Sequence, residues 1–93
     1  MDFWLVCYDV RDNKRRRKLV KFLEQRCERV QYSVFECPLT EKKLSELVEK
    51  KWLPVLKLSE DSLRIYPLDA RSRGLVKVFG SPGPYSPPDF EIL

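Results

Sequence analysis

Asp9 closes an apolar run, FWLVCYDV at residues 3–10, and five consecutive cations follow it at residues 14–18. A carboxylate at a strand end is a natural ligand for Mg²⁺ or Mn²⁺, because such an ion takes one or two carboxylates and completes its shell with waters and substrate phosphates. A divalent ion held there can polarise a phosphodiester or activate a water. The cations suit the same chemistry. A helix N-terminus is already partly positive, so each Lys or Arg in the first turn is unfavourable by roughly 0.3–1 kcal/mol. Their mutual repulsion adds to this. An external polyanion offsets the penalty, and nucleic-acid phosphate is the obvious one. Arg15 and Arg16 can also stabilise the charge that develops on phosphorus-bound oxygens. One carboxylate per chain is thin, and a two-fold axis near this strand end would supply a second Asp9. The simpler alternative is that Asp9 pairs with Arg15 or Arg16, or merely ends the strand.

Other chemistries lack their parts. With no histidine in 93 residues, a His-dependent nuclease is excluded, and a Ser or Cys nucleophile has no basic partner. Cys7, Cys27 and Cys37 are odd in number, two of them fall in apolar patterns and no histidine accompanies them, so zinc is disfavoured and buried free thiols in a reducing compartment are expected. The length suits one domain. No run approaches the ~20 apolar residues of a membrane span. The first ten residues lack a basic stretch and a small-residue cleavage site, so a soluble cytoplasmic protein is expected. The net charge of +4 is unevenly spread: residues 11–29 hold nine Lys or Arg against three Asp or Glu, a net of +6, leaving −2 elsewhere. The positive potential is local to the segment after Asp9.

The elements that position these residues follow from periodicity. Residues 3–10 are apolar on both parities, with Phe3, Leu5, Cys7 and Asp9 on one face and Trp4, Val6 and Val10 on the other, as in a central strand. Asp12 suits an N-cap, and Leu19, Phe22, Leu23 and Cys27 form the buried stripe of the helix it opens. Around that helix Arg15 and Arg16 flank the stripe and can reach over the strand end, whereas Lys14, Arg17 and Lys21 point outward towards a phosphate backbone. RVQYSVFECPL at 29–39 changes apolar parity, which predicts a bulge or tight hairpin near residues 33–35. Thr40 caps a second helix with Leu44, Leu47, Val48 and Trp52 on its apolar stripe, and Pro54 ends it. Residues 62–68 and 74–80 read as further strands. The order predicts an α+β, ferredoxin-like βαββαβ sandwich over residues 1–80, with helices on one sheet face. A Pro/Gly-rich linker at 81–88 and a terminal strand at 89–93 follow, suited to sheet-edge addition on a second subunit. The other face of the first strand is also apolar, which again argues for a homodimer.

Three ordered motifs, YDVRDNKRRRK, RVQYSVFEC and DSLRIYPL, resemble the Cas-two family of small CRISPR-associated proteins. The likeness runs through nearly the whole chain. It implies a ferredoxin-like homodimer whose last strand adds to the partner's sheet. It also implies a metal-dependent endonuclease acting on RNA or DNA in spacer acquisition for antiviral defence, with the CRISPR spacer integrase as partner. By position, the resemblance makes Asp9 the metal-binding aspartate and Tyr8 its neighbouring aromatic. Arg15 and Arg16 become the following basic pair, and Arg29 and Phe35 members of the VQYSVFE region, with Lys14, Arg17 and Lys21 joining them in binding nucleic acid. Where the family has a Gly before the second strand, this chain has Cys27-Glu28. Two functions stay open: an endonuclease using Asp9, Arg15 and Arg16, or a non-catalytic nucleic-acid scaffold of the integrase complex. A stand-alone toxin-like ribonuclease is a third, lesser option.

Overall fold

The structure, a computed structural model, describes residues 2–80. Strand β1 (Phe3–Asp9) leads into helix α1 (Asn13–Glu24), strands β2 (Glu28–Gln31) and β3 (Val34–Pro38), helix α2 (Glu41–Leu47), strand β4 (Ser62–Leu68) and a short helix α3 (Ala70–Gly74). Helix α2 continues through a π-helical turn (Val48–Trp52) and a 3₁₀ turn (Leu53–Val55) that carries Pro54, which cannot donate to a further helical turn. The sheet order is β2-β3-β1-β4, antiparallel throughout. This is the predicted ferredoxin-like arrangement, and β1 is central because its residues are apolar on both parities. Among the described residues no helix is long and apolar enough to cross a membrane.

Pairing of Val6 with Phe35 on β3 and Ile65 on β4 defines the covered face. There Val6, Tyr8, Val10, Phe35 and Cys37 pack beneath Leu19 and Leu23 of α1 and Leu44 and Trp52 of the second helical segment. Both helices start on side-chain caps: the Asp12 carboxylate accepts from Arg15 N at 2.8 Å, and Thr40 Oγ1 accepts from Lys43 N at 3.1 Å. The Trp4 indole donates to the Leu39 carbonyl at 2.9 Å and anchors the end of β3 to β1. On the opposite face Phe3, Leu5 and Cys7 are only half-buried. Arg73 of α3 lies 4.5 Å from the Phe3 ring centre and pairs with Glu36 at 3.2 Å.

The parity switch at 29–39 is a hairpin with a bulge. Arg29 opposes Phe35 but Gln31 opposes Val34, so one residue is inserted at Val30, and the chain turns at Tyr32 and Ser33. Two expectations are corrected. Residues 74–80 are not a strand: Asp69 caps α3 by accepting from Ser72 N at 2.7 Å, and the helix carries the chain off the ladder. Beyond it Leu75, Val76, Val78 and Phe79 are exposed, Phe79 to 87%, without a ladder partner among the described residues. Cys27 and Cys37 are not free thiols. One step beyond the Glu28–Glu36 pair of the β2–β3 ladder, Cys27 faces Cys37 and the two form a disulfide, and Cys7 alone is free. The 81–88 linker and the 89–93 strand lie outside the described residues.

Closing a loop between cysteines ten residues apart stabilises the fold by roughly 2–3 kcal/mol through the unfolded chain. Thiol titration of denatured, unreduced protein is therefore expected to count one cysteine and to count three after reduction. Reduction is expected to lower Tm by on the order of 10 °C. Three thiols before reduction contradict the pairing.

Candidate active-site cleft

Strand β1 delivers Asp9 to its C-terminal end, with residues 10–12 separating it from the first turn of α1, and its residue is exposed there. The hairpin is held beside it: Tyr8 N donates to Ser33 O at 3.1 Å, one step beyond the last β1–β3 pair, Cys7 with Val34. The result is a cleft of about 310 Å³ lined by Tyr8, Asp9, Val10, Arg16, Tyr32 and Ser33. The Asp9 carboxylate makes no hydrogen bond or ion pair among the described residues, so the alternative in which Arg15 or Arg16 neutralises it is not what the structure adopts.

Arg16 reaches the cleft from the first turn of α1. Its guanidinium donates to the Val10 carbonyl at 2.9 Å and to the Asn13 side chain, which folds it back over the strand end. Arg15 goes elsewhere. Its Nε donates to Asp61 Oδ2 at 2.8 Å, and its Nη2 to Asp61 Oδ1 at 3.1 Å and to Glu60 at 3.3 Å. The expectation that Arg15 leans towards Asp9 is corrected. A bidentate carboxylate on the α2–β4 loop outcompetes an exposed one at the strand end. The Asp61 side chain is fully buried and also accepts from Arg11 N at 3.0 Å and Lys57 N at 2.9 Å. Donation from Arg15 first, and then from the two amides, holds its carboxyl well below the usual range against the opposing effect of burial.

The aromatic candidates divide. Tyr8 is buried, and its hydroxyl donates to the Tyr32 carbonyl at 3.0 Å. Burial pushes its ionisation up, with the Arg29 charge opposing. Phe35 is wholly buried, its ring 6.3 Å from that of Tyr8. The geometry gives both a packing role under the cleft floor rather than an open surface for a base. Arg29 also donates to the Tyr32 carbonyl, through Nε at 3.0 Å and through Nη2, and its guanidinium lies 5.2 Å from the Tyr32 ring centre and 5.7 Å from that of Phe35. Lys14, Arg17 and Lys21 are exposed on the outer side of α1, as the helical wheel predicts. The sequence assigns no site role to Tyr32, Ser33 or Asn13, and Asp61, although it opens the DSLRIYPL motif, carries no local signal of its pairing with Arg15.

The pattern of the family described as CRISPR associated protein Cas2 matches residues 1–75. The chain belongs to the Cas2 family. It is 70% identical to a CRISPR-associated endoribonuclease Cas2 of Synechocystis sp. along the full length of both. The crystal structure of Streptococcus pyogenes Cas2 superposes with TM-score 0.74 at 30% identity, covering 84% of this chain and 99% of that one. A chain of a partial Cas6-RT-Cas1–Cas2 complex superposes at 0.71 and 32%, covering 84% and 90%. The ferredoxin-like sheet is thus one shared with Cas2 proteins.

Among the described residues no three Asp, Glu or Cys side chains converge as a metal cluster. A divalent ion held at Asp9 would take one carboxylate from this chain, and its remaining positions would fall to waters, substrate phosphate and a second Asp9. The Asp61 carboxylate has a depressed pKa, so its stabilisation is complete above the ordinary carboxylate range near 3.9 and is lost as pH falls through its lower folded value. Asp61→Asn is expected to lower Tm at pH 7 by on the order of 10 °C and to flatten the decline of Tm below about pH 4. Thermal melts at pH 2–7 measure both. An unchanged Tm and an unchanged acid slope contradict the assignment.

Proposed function

We propose that this Cas2 protein is a Mg²⁺- or Mn²⁺-dependent endonuclease that cleaves RNA or DNA phosphodiester bonds during spacer acquisition in antiviral defence. It works in the cytoplasm as a homodimer alongside the spacer integrase. The observation that carries the reading is the exposed Asp9, without a polar partner among the described residues, sharing one cleft with the Arg16 guanidinium below a cationic helix face. The name of the Synechocystis relative, an endoribonuclease, supports the reaction class, and the complex with Cas1 supports the integrase partner.

A divalent ion bound at Asp9 supplies Lewis-acid polarisation of the scissile phosphate and a more acidic water. The protein's own residues do the rest. Arg16, braced by Val10 and Asn13, offers its remaining N–H groups to the non-bridging oxygens as negative charge builds. Lys14, Arg17 and Lys21 hold the flanking backbone without reading sequence. Arg15 acts through Asp61, fixing the first turn of α1 so that Arg16 keeps its aim. The homodimer is favoured by the half-buried apolar strip Phe3, Leu5 and Cys7 and by the exposed Leu75, Val76, Val78 and Phe79, which a second copy would cover.

A scaffold without catalysis is the second reading. It is favoured by the location of Lys14, Arg17 and Lys21 on a surface separate from the Asp9 cleft. One set of assays separates the two. Asp9→Asn is expected to reduce Mg²⁺- or Mn²⁺-dependent cleavage at least ~100-fold with oligonucleotide Kd unchanged. Neutralising Lys14, Arg17 and Lys21 together is expected to weaken duplex binding about tenfold or more and to lower the salt slope by roughly 0.9 for each phosphate no longer neutralised. Cleavage that persists in purified Asp9→Asn refutes Asp9 as the metal ligand, whereas a wild type that cuts nothing, with integration unaffected by Asp9→Asn, supports the scaffold.

A further inference from the structure

Resting on the reading of this cleft as the place where a nucleic-acid strand is held, we propose that Tyr32 is a base-stacking platform. Its ring seats the nucleobase next to the phosphate at Asp9. Tyr32 stands at the tip of the β2–β3 turn, where its residue is 37% exposed, and it lines the same cleft as Asp9 and Arg16. Turn positions favour small polar residues and Gly, so the turn itself does not call for a large aromatic at this hairpin tip. Its hydroxyl makes no hydrogen bond among the described residues, so the ring is not retained for a polar contact at its end.

The backbone beneath this ring is fixed to an unusual degree. The Tyr32 carbonyl accepts from Tyr8 Oη at 3.0 Å and from Arg29 through two nitrogens, Nε at 3.0 Å and Nη2. A buried tyrosine and an arginine are both committed to holding one turn carbonyl. The same Arg29 guanidinium lies 5.2 Å from the Tyr32 ring centre, within cation–π range, and so restrains the ring as well as the peptide. A pre-positioned aromatic is what base stacking requires: every base has a π-face, so such a platform binds without selecting sequence. Ordering it in the free protein reduces the entropy lost on binding. Tyr8 and Phe35, both buried, cannot offer a ring themselves, and Arg29 and Tyr8 become positioning residues for Tyr32.

The test uses single-stranded oligonucleotides with and without abasic sites, bound to the intact protein in EDTA so that cleavage plays no part. Tyr32→Phe is expected to bind natural oligonucleotide within about twofold of wild type, and Tyr32→Ala and Tyr32→Leu to bind roughly 5- to 100-fold more weakly. Scanning a single abasic position is expected to reveal one site where wild type loses the same factor and Tyr32→Leu loses almost nothing. A merely structural tyrosine would not move that abasic discrimination, and Tyr32→Leu keeps an apolar side chain should the alanine variant fail to fold. Equal abasic penalties in wild type and Tyr32→Leu overturn the stacking role while leaving the functional reading intact. A wild type that binds no oligonucleotide refutes the functional reading itself.

Discussion

The antiparallel register between β1 and β3 is the constraint on which the rest of this molecule depends. Val6 opposes Phe35 and Cys7 opposes Val34, and the pairing runs on into the hydrogen bond from Tyr8 N to the Ser33 carbonyl. Because side chains alternate across a strand, this register puts Tyr8 under the hairpin and Asp9 on the open side of the sheet. Slipping it by one residue would exchange those faces, burying a carboxylate and exposing a tyrosine. The buried pair Val6 and Phe35 makes the correct register the favourable one, so packing in the core determines where the acidic strand end sits.

Electrostatics then separates cations that are adjacent in sequence. Lys14–Lys18 look interchangeable, yet helix geometry turns Lys14 and Arg17 outward and draws Arg15 and Arg16 in. A buried carboxylate on the α2–β4 loop captures Arg15, and a strand-end carbonyl with Asn13 captures Arg16. Neither arginine discharges Asp9. Left without a polar partner among the described residues, it costs little, because an exposed carboxylate stays well solvated. The outward Lys14 and Arg17 follow the same logic: they pair with no carboxylate among the described residues, and an anion from outside the chain would offset their charge.

Much of this was legible in the residues themselves. The double-sided apolarity of β1, the Asp12 and Thr40 caps, the parity break in RVQYSVFECPL and the inward and outward division of the cations are all local patterns, and local patterns survive folding. What escaped was non-local. Asp61 lies 46 positions from Arg15, and Cys27 meets Cys37 only once the β2–β3 hairpin sets its register. Tyr8 was assigned to nucleic acid by resemblance, while its alternation with Val6 and Val10 already placed it on the covered face. Residues 74–80 carry strand-like alternation, but alternation states only that two faces differ. Whether a ladder forms depends on a neighbour, and among the described residues none is there.

The central claim is that Asp9 at this strand end is a metal ligand completed by a second copy of the chain. Electron paramagnetic resonance of Mn²⁺ titrated into the protein tests it without relying on turnover. The account predicts saturation at one ion for every two chains, with that bound population lost in Asp9→Asn while the fold and dimer remain. Mn²⁺ binding that is the same in wild type and Asp9→Asn would contradict it.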